Sequence, residues 1–160
     1  MTPESLRTDA RHNPATQEEA RAFVKHVESL FMPWNVEALV AGFTQDCVVR
    51  FGTVELRGHQ ALRDFFLARS AKQRNYRLNK RLCALMHDTL ANVWDGEWED
   101  ADTGIAMKGF GVEVWVMRDG KIARWSVAEA RCGNRSAGLA ASRCREQRPR
   151  GGDYAAFAPA

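Results

Sequence analysis

The sequence predicts an α+β fold: a mostly antiparallel sheet packed against three helices drawn from the N-terminal half of the chain. Three observations carry this. Apolar residues recur at helical spacing in two segments before residue 44 and in one after Gly58. From residue 75 to 128 the pattern changes to the alternation of strands. Asp119-Gly120, set between two apolar runs, marks a hairpin. The order is helix, helix, strand, strand, helix, then four strands in meander. It segregates helices to one side of a sheet instead of repeating a βαβ unit.

The first helix is expected from Thr16 to Met32. Thr16 serves as N-cap with Glu19 as its capping-box partner, Phe23, Val27, Leu30 and Phe31 form the apolar face, and Pro33 is the stop. Asn35 caps a shorter helix whose apolar face is Val36, Leu39, Val40 and Phe43, after which Thr44-Gln45-Asp46 turns the chain. Cys47–Phe51 reads as a strand closed by Gly52, and Val54-Glu55-Leu56 as its return. A third helix, 59–72, turns Leu62, Phe65, Phe66 and Ala68 inward. Strands over 75–87, 90–100, 105–117 and 121–128 complete the domain.

At 160 residues the chain fits one core. The expected organisation is a flexible N-terminus over 1–15, the domain over 16–130 and a tail over 131–160. In the tail, six arginines oppose Glu146 and Asp153, and alanine and glycine dominate. Such a composition buries too little to offset its ordering entropy, so the tail is expected to be disordered. The remaining residues carry 17 basic and 18 acidic side chains, so no basic stripe crosses the domain and a nucleic-acid contact could belong only to the tail. No apolar stretch spans a membrane and no signal-peptide pattern opens the chain, which gives the expectation of a cytoplasmic protein. The four cysteines and four histidines are scattered without metal-ligand spacing, so no metal or other cofactor is expected. GxSxG, GxGxxG and phosphate-loop patterns are absent from the sequence.

Strand alternation sorts the residues that could carry chemistry. One face of 75–87 presents Tyr76, Leu78, Lys80, Leu82, Ala84 and Met86, apolar except for Lys80. One face of 105–117 presents Met107, Gly109, Gly111, Glu113, Trp115 and Met117, apolar except for Glu113. A charge inside such a strand needs water, a partner or a shifted pKa. Lys80 and Glu113 can satisfy each other, either as an acid/base or anion-orienting pair in a pocket or as a structural ion pair closing a core. Arg50, interrupting an apolar strand, can fork onto Glu113 or a ligand carboxylate, or reach the solvent face. The five tryptophans all precede the tail, and aromatic side chains of this kind fill cores or line apolar pockets.

The run WNVEALVAGFTQDCVVRF followed by LRGHQALRDFF resembles the opening half of the nuclear transport factor 2-like superfamily. Trp34-Asn35, Arg50, Tyr76-Arg77-Leu78 with Lys80, Glu97-Trp98 and Gly111-x-Glu113-x-Trp115 are similar to a SnoaL-like group of uncharacterised bacterial proteins. The resemblance covers about 17–127. It implies a cone with a pocket at its open end, a homodimer, and a function among isomerases, cyclases, lyases or pure binding domains, because fold alone selects no reaction. Compared with ketosteroid isomerase, the position of the base is Phe51 and that of the tyrosine is Val27, and only the oxyanion-hole acid finds a carboxyl, at Glu113. Glu129 stands where the superfamily has an apolar residue.

Two functions stay open at this point. One is a pocket for a small apolar or aromatic ligand, with Glu113 and Lys80 as acid/base groups and Arg50, Tyr76, Trp98, Trp115, Trp34 and Phe51 as the binding set. The other is a non-catalytic ligand-binding or dimerisation module.

Overall fold

The computed structural model describes residues 12–133. The helices are α1 (Gln17–Ser29), α2 (Val36–Ala41) and α3 (Gly58–Lys72). The strands are β1 (Phe43–Phe51), β2 (Val54–Arg57), β3 (Gln73–Met86), β4 (Thr89–Asp100), β5 (Ala106–Arg118) and β6 (Lys121–Gly133). They form one six-stranded sheet in the order β2-β1-β6-β5-β4-β3. Every pairing is antiparallel except β1 with β6, which run parallel. This open, mostly antiparallel sheet packed on helices is the α+β cone expected from the sequence.

The Thr16 hydroxyl accepts the Glu19 N–H and the Glu19 carboxylate accepts the Ala15 N–H, closing the N-terminus of α1. Asn35 caps α2 through the Ala38 N–H. The inward face of α1 buries Ala20, Val24 and Val27 against the sheet, chiefly against β3. Leu39, Val40, Phe43, Leu62, Phe66, Leu90 and Trp115 continue the same core.

Four boundaries differ from the sequence expectation. First, α1 ends at Ser29, capped by Leu30, so Phe31 and Met32 lie outside it. Phe31 instead bridges Trp34 around a cis Met32–Pro33 bond. Second, Gly42 caps α2 and delivers Phe43 to the sheet, where it pairs with Ile122, so residues 44–46 are strand and not turn. Third, a register shift between Leu82 and Ala84 ends the simple alternation of β3. Ala84 and Met86 consequently face solvent while Leu85 packs on the core. Fourth, β6 pairs with β5 as far as Gly133, three residues into the segment assigned to the tail. At the other end, Asn13 hydrogen-bonds Asp88 and the Gly120 N–H. The flexible-terminus and disordered-tail expectations for 1–11 and 134–160 lie outside the described residues. No helix among the described residues is long and apolar enough to cross a membrane.

Candidate functional site

The interior of the cone holds a buried ion pair. Lys80 of β3 and Glu113 of β5 both point to the concave face and reach across the intervening strand β4, with Lys80 Nζ 2.6 Å from Glu113 Oε1. Their side chains are 3% and 0% exposed. The second oxygen, Glu113 Oε2, accepts the indole N–H of Trp125 at 2.9 Å. The ammonium also stands over the rings of Phe31, Trp115 and Trp125, each within 6 Å of the centroid. Burial pushes the Lys80 pKa below the usual ammonium range, and the charge and hydrogen bond of Glu113 oppose that shift.

Asn92 lies directly opposite Glu113 in the β4–β5 register and is 2% exposed. Its amide oxygen and nitrogen are buried without a hydrogen-bond partner, as is the indole nitrogen of Trp115. The deep end of the cone thus holds one compensated pair and several unspent polar groups.

Glycines set the aromatic wall. A side chain at Gly111 would meet Trp94 Nε1 and the Ala128 carbonyl, both at 2.7 Å, and one at Gly109 would meet the Trp98 ring at 3.0 Å. These two inward positions of β5 are bare so that the indoles of β4 lie flat over them. Gly96 does the same for the Tyr76 ring, at 3.3 Å. Trp34 stacks on Tyr76 with a centroid separation of 5.4 Å.

A second charged cluster lies nearer the surface. The Arg69 guanidinium of α3 covers the faces of Phe51 and Phe65 at 5.4 and 5.7 Å. Its Nη2 is 3.5 Å from Glu129 Oε2, and Arg131 Nη2 holds the other Glu129 oxygen. The Arg131 guanidinium lies over Trp98. Tyr76 stands nearby, its hydroxyl pKa pushed up to about 12 by burial, partly opposed by Arg69.

Between the two clusters is a void of about 20 Å³, lined by Arg69, Tyr76, Lys80, Glu113 and the rings of Phe31, Phe51, Trp94 and Trp125. A smaller one, about 10 Å³, lies on the other side of Lys80 beside Trp115 and Ile122. Each is about the size of one water. The aromatic side chains therefore nearly fill the cone in this conformation.

Of the residues the sequence singled out, the structure brings Glu113, Lys80, Tyr76 and Phe51 to the larger void and Trp115 to the smaller. Trp34 and Trp98 form a second layer against Tyr76. Arg50 is a correction. Its side chain is 65% exposed on the outer face, with Nε 2.7 Å from Glu55 Oε2, so it touches neither Glu113 nor the void. Position 50 alternates with buried Val49 and pairs with Glu55 on β2, which supplies the opposite charge on the solvent side. Asn92 and Arg69 were missed, Trp94 and Trp125 were weighed only among the five tryptophans, and Glu129 was noted only as a departure from the superfamily pattern. Strand alternation places Asn92 and Trp94 with Trp98, whereas Arg69 sits on a helix beside inward-facing Phe65 and Phe66 and becomes legible only with the fold in hand. Among the described residues no group of three or more His, Cys, Asp or Glu side chains gathers as a metal site would.

A family profile described as "Protein of unknown function (DUF1348)" matches residues 13–132. No curated protein matches the chain. Among solved structures, the epoxide hydrolase/cyclase-like enzyme SalBIII, of pyran ring formation in the polyether salinomycin, is similar. It aligns with a TM-score of 0.63 at 20% identity, covering 71% of this chain and 93% of that one. TerC, co-crystallised with polyporic acid, aligns with a TM-score of 0.57 at 19% identity over 67% and 88%. An NTF2-like protein of unknown function from Exiguobacterium sp. 255-15 aligns with a TM-score of 0.57 at 15% identity over 68% and 94%. These likenesses show the fold, an α+β cone shared with an NTF2-like protein.

Proposed function

The chain belongs to the DUF1348 family, and from that premise we propose that it binds a small, largely apolar or aromatic molecule inside the cone, above the Lys80–Glu113 pair. The observation that carries this reading is the placement of the pair. Two opposite charges are buried in an aromatic cage, beside a void and below a rim of half-buried side chains, at Phe51, Arg69 and Tyr76. Burying an ion pair is no more stabilising than apolar packing of the same volume. Its position beside the void and beneath that rim fits a ligand-orienting role. The void is too small for an organic ligand, so binding requires the rim side chains to move. Solved proteins of the same fold include a cyclase-like enzyme and a protein crystallised with an organic acid, which supports a small-molecule reading.

A thermal-shift screen of small aromatic compounds tests it, because a ligand that binds only the folded state raises the melting temperature by mass action. The expected result is a set of hits whose shift is lost when Tyr76 is replaced by Ala. Hits indifferent to every lining residue would place binding elsewhere.

General acid/base catalysis is the second reading, favoured by the lowered pKa of Lys80. In it, the Glu113 carboxylate removes a proton from carbon next to a ligand carbonyl, the Lys80 ammonium hydrogen-bonds the enolate oxygen, and the proton returns to another carbon of the same ligand. One C–H bond breaks and one forms, giving an isomer with no oxidant or reductant.

We also propose a homodimer through the outer face of the sheet. Phe110, Val112 and Val114 of β5 are 66%, 57% and 41% exposed, and their cross-strand neighbours Val93, Ala128 and Ala130 extend an apolar strip along the middle of the sheet.

A further inference from the structure

The Arg69–Glu129 contact is an incomplete one. At 3.5 Å it is longer than the 2.7–2.9 Å of a well-made charge-assisted hydrogen bond. Arg69 Nε and Glu129 Oε2 are both buried without a hydrogen-bond partner. The two side chains are nevertheless only 14% and 17% exposed. Burial opposes the charge on Arg69, as its lowered pKa records, yet guanidinium groups remain protonated in proteins. This site therefore keeps a desolvated cation whose forked edge is only partly used.

The orientation of Arg69 is fixed by its faces. The guanidinium lies over the rings of Phe51 and Phe65, which leaves its edge as the part free to bond. Glu129 has an alternative partner, since Arg131 holds its other oxygen, so it can leave Arg69 without becoming an unpaired charge. Two arginines against one glutamate leave the cluster one negative charge short.

From this geometry we infer that Arg69 is the anchor for a ligand carboxylate, and that Glu129 occupies its edge as a displaceable internal stand-in. The ligand class is then a flat, apolar monocarboxylic acid, with its ring among Phe51, Tyr76 and Trp125 and its carboxylate forked on Arg69. This inference rests on the small-molecule reading given above and narrows it to acids. It predicts that displacement of Glu129 toward Arg131 accompanies binding.

The test uses benzoate and its neutral counterpart benzamide as probes, with binding to the full chain measured by calorimetry and thermal shift. Benzoate is expected to bind at least about tenfold more tightly than benzamide, the difference of one charge-assisted fork. Glu129→Gln, which removes the competing carboxylate, is expected to tighten benzoate further and leave benzamide unchanged. Arg69→Lys, which keeps the charge but not the fork, is expected to weaken benzoate about tenfold and leave benzamide unchanged. If Arg69→Lys does not fold, the Glu129→Gln comparison still decides. Equal binding of the two probes, with no response to Glu129→Gln, overturns the acid assignment and leaves the pocket reading standing. Binding of neither probe at millimolar concentration overturns the pocket reading and this inference with it.

Discussion

Lys80 and Glu113 meet across an intervening strand, with the Nζ to Oε1 distance at 2.6 Å and both side chains withdrawn from solvent. Neither residue pairs with the other in the sheet: Lys80 is opposite Trp94, and Glu113 is opposite Asn92. The contact therefore depends on the sheet's curvature and on two long side chains converging over β4. It is also bound into the aromatic core, because Trp125 donates to the free Glu113 oxygen.

Replacing one partner should be far more costly than replacing both. Glu113→Gln keeps an acceptor for Trp125 but leaves the Lys80 ammonium buried without a counter-charge. Urea unfolding is expected to show a loss on the order of 3–5 kcal/mol. The double variant Lys80→Met/Glu113→Gln removes both charges and should recover much of that loss. A single variant as stable as the native chain would mean that water already reaches the pair.

Asn92 tests whether the deep polar groups serve binding or are a stability cost. Its amide is buried beside Glu113 with neither atom hydrogen-bonded. Asn92→Leu, of similar shape, should leave stability unchanged or raise it by roughly 1 kcal/mol, since an unsatisfied buried amide costs about 1–3 kcal/mol. If the amide contacts the ligand, the same variant loses the ligand-induced thermal shift. A destabilised Asn92→Leu would show that a bound water satisfies the amide in solution.

Gly111 should tolerate no side chain. An added Cβ would lie 2.7 Å from both Trp94 Nε1 and the Ala128 carbonyl, and the second of these is backbone paired in the sheet. Gly111→Ala is expected to cost about 1–3 kcal/mol in chemical denaturation. The tryptophan emission should shift as Trp94 is displaced.

The fold was legible because its signals are local. The Thr16 and Asn35 caps, the Asp119-Gly120 hairpin and the alternation around Lys80 and Glu113 can each be read within a few residues. The parallel pairing of β1 with β6 was not legible, because Phe43↔Ile122 joins residues about eighty apart and no local pattern requires it. The same limit explains Arg50. Its sequence neighbours leave both a buried charge and the solvent face open, and its partner, Glu55, becomes evident only when β2 is placed beside β1. Half of the candidate site followed from alternation. The rest, Arg69 with Glu129, joins a helix to the end of a strand through a contact that only the assembled fold creates.

The outer sheet face should bury itself in a second copy. Sedimentation at tens of micromolar is expected to give a dimer of the 18.0 kDa chain. Val112→Glu, at the centre of the exposed strip, should yield a monomer with native circular dichroism, because its side chain packs against nothing in the core. A native chain that sediments as a monomer would remove the dimer proposal.

Tyr76 provides a pH signature for the interior. Its hydroxyl is pushed up to about 12 by burial, against about 10 in an unfolded chain, so between these values the folded state holds a proton that the unfolded state releases. Stability contributed by this group is fully present below pH 10 and is lost as pH rises toward 12, a change of roughly 2–3 kcal/mol. Lysine and arginine residues also titrate in that range, so the measurement is a difference: unfolding free energy against pH for the native chain and for Tyr76→Phe. The native curve should fall more steeply above pH 10. The chain has two tyrosines, so phenolate absorbance offers an independent check. Tyr76→Phe should remove the component that titrates well above pH 10. Removal of the component near pH 10 instead would show that the Tyr76 hydroxyl is solvated and that the rim of the cone stands open to water.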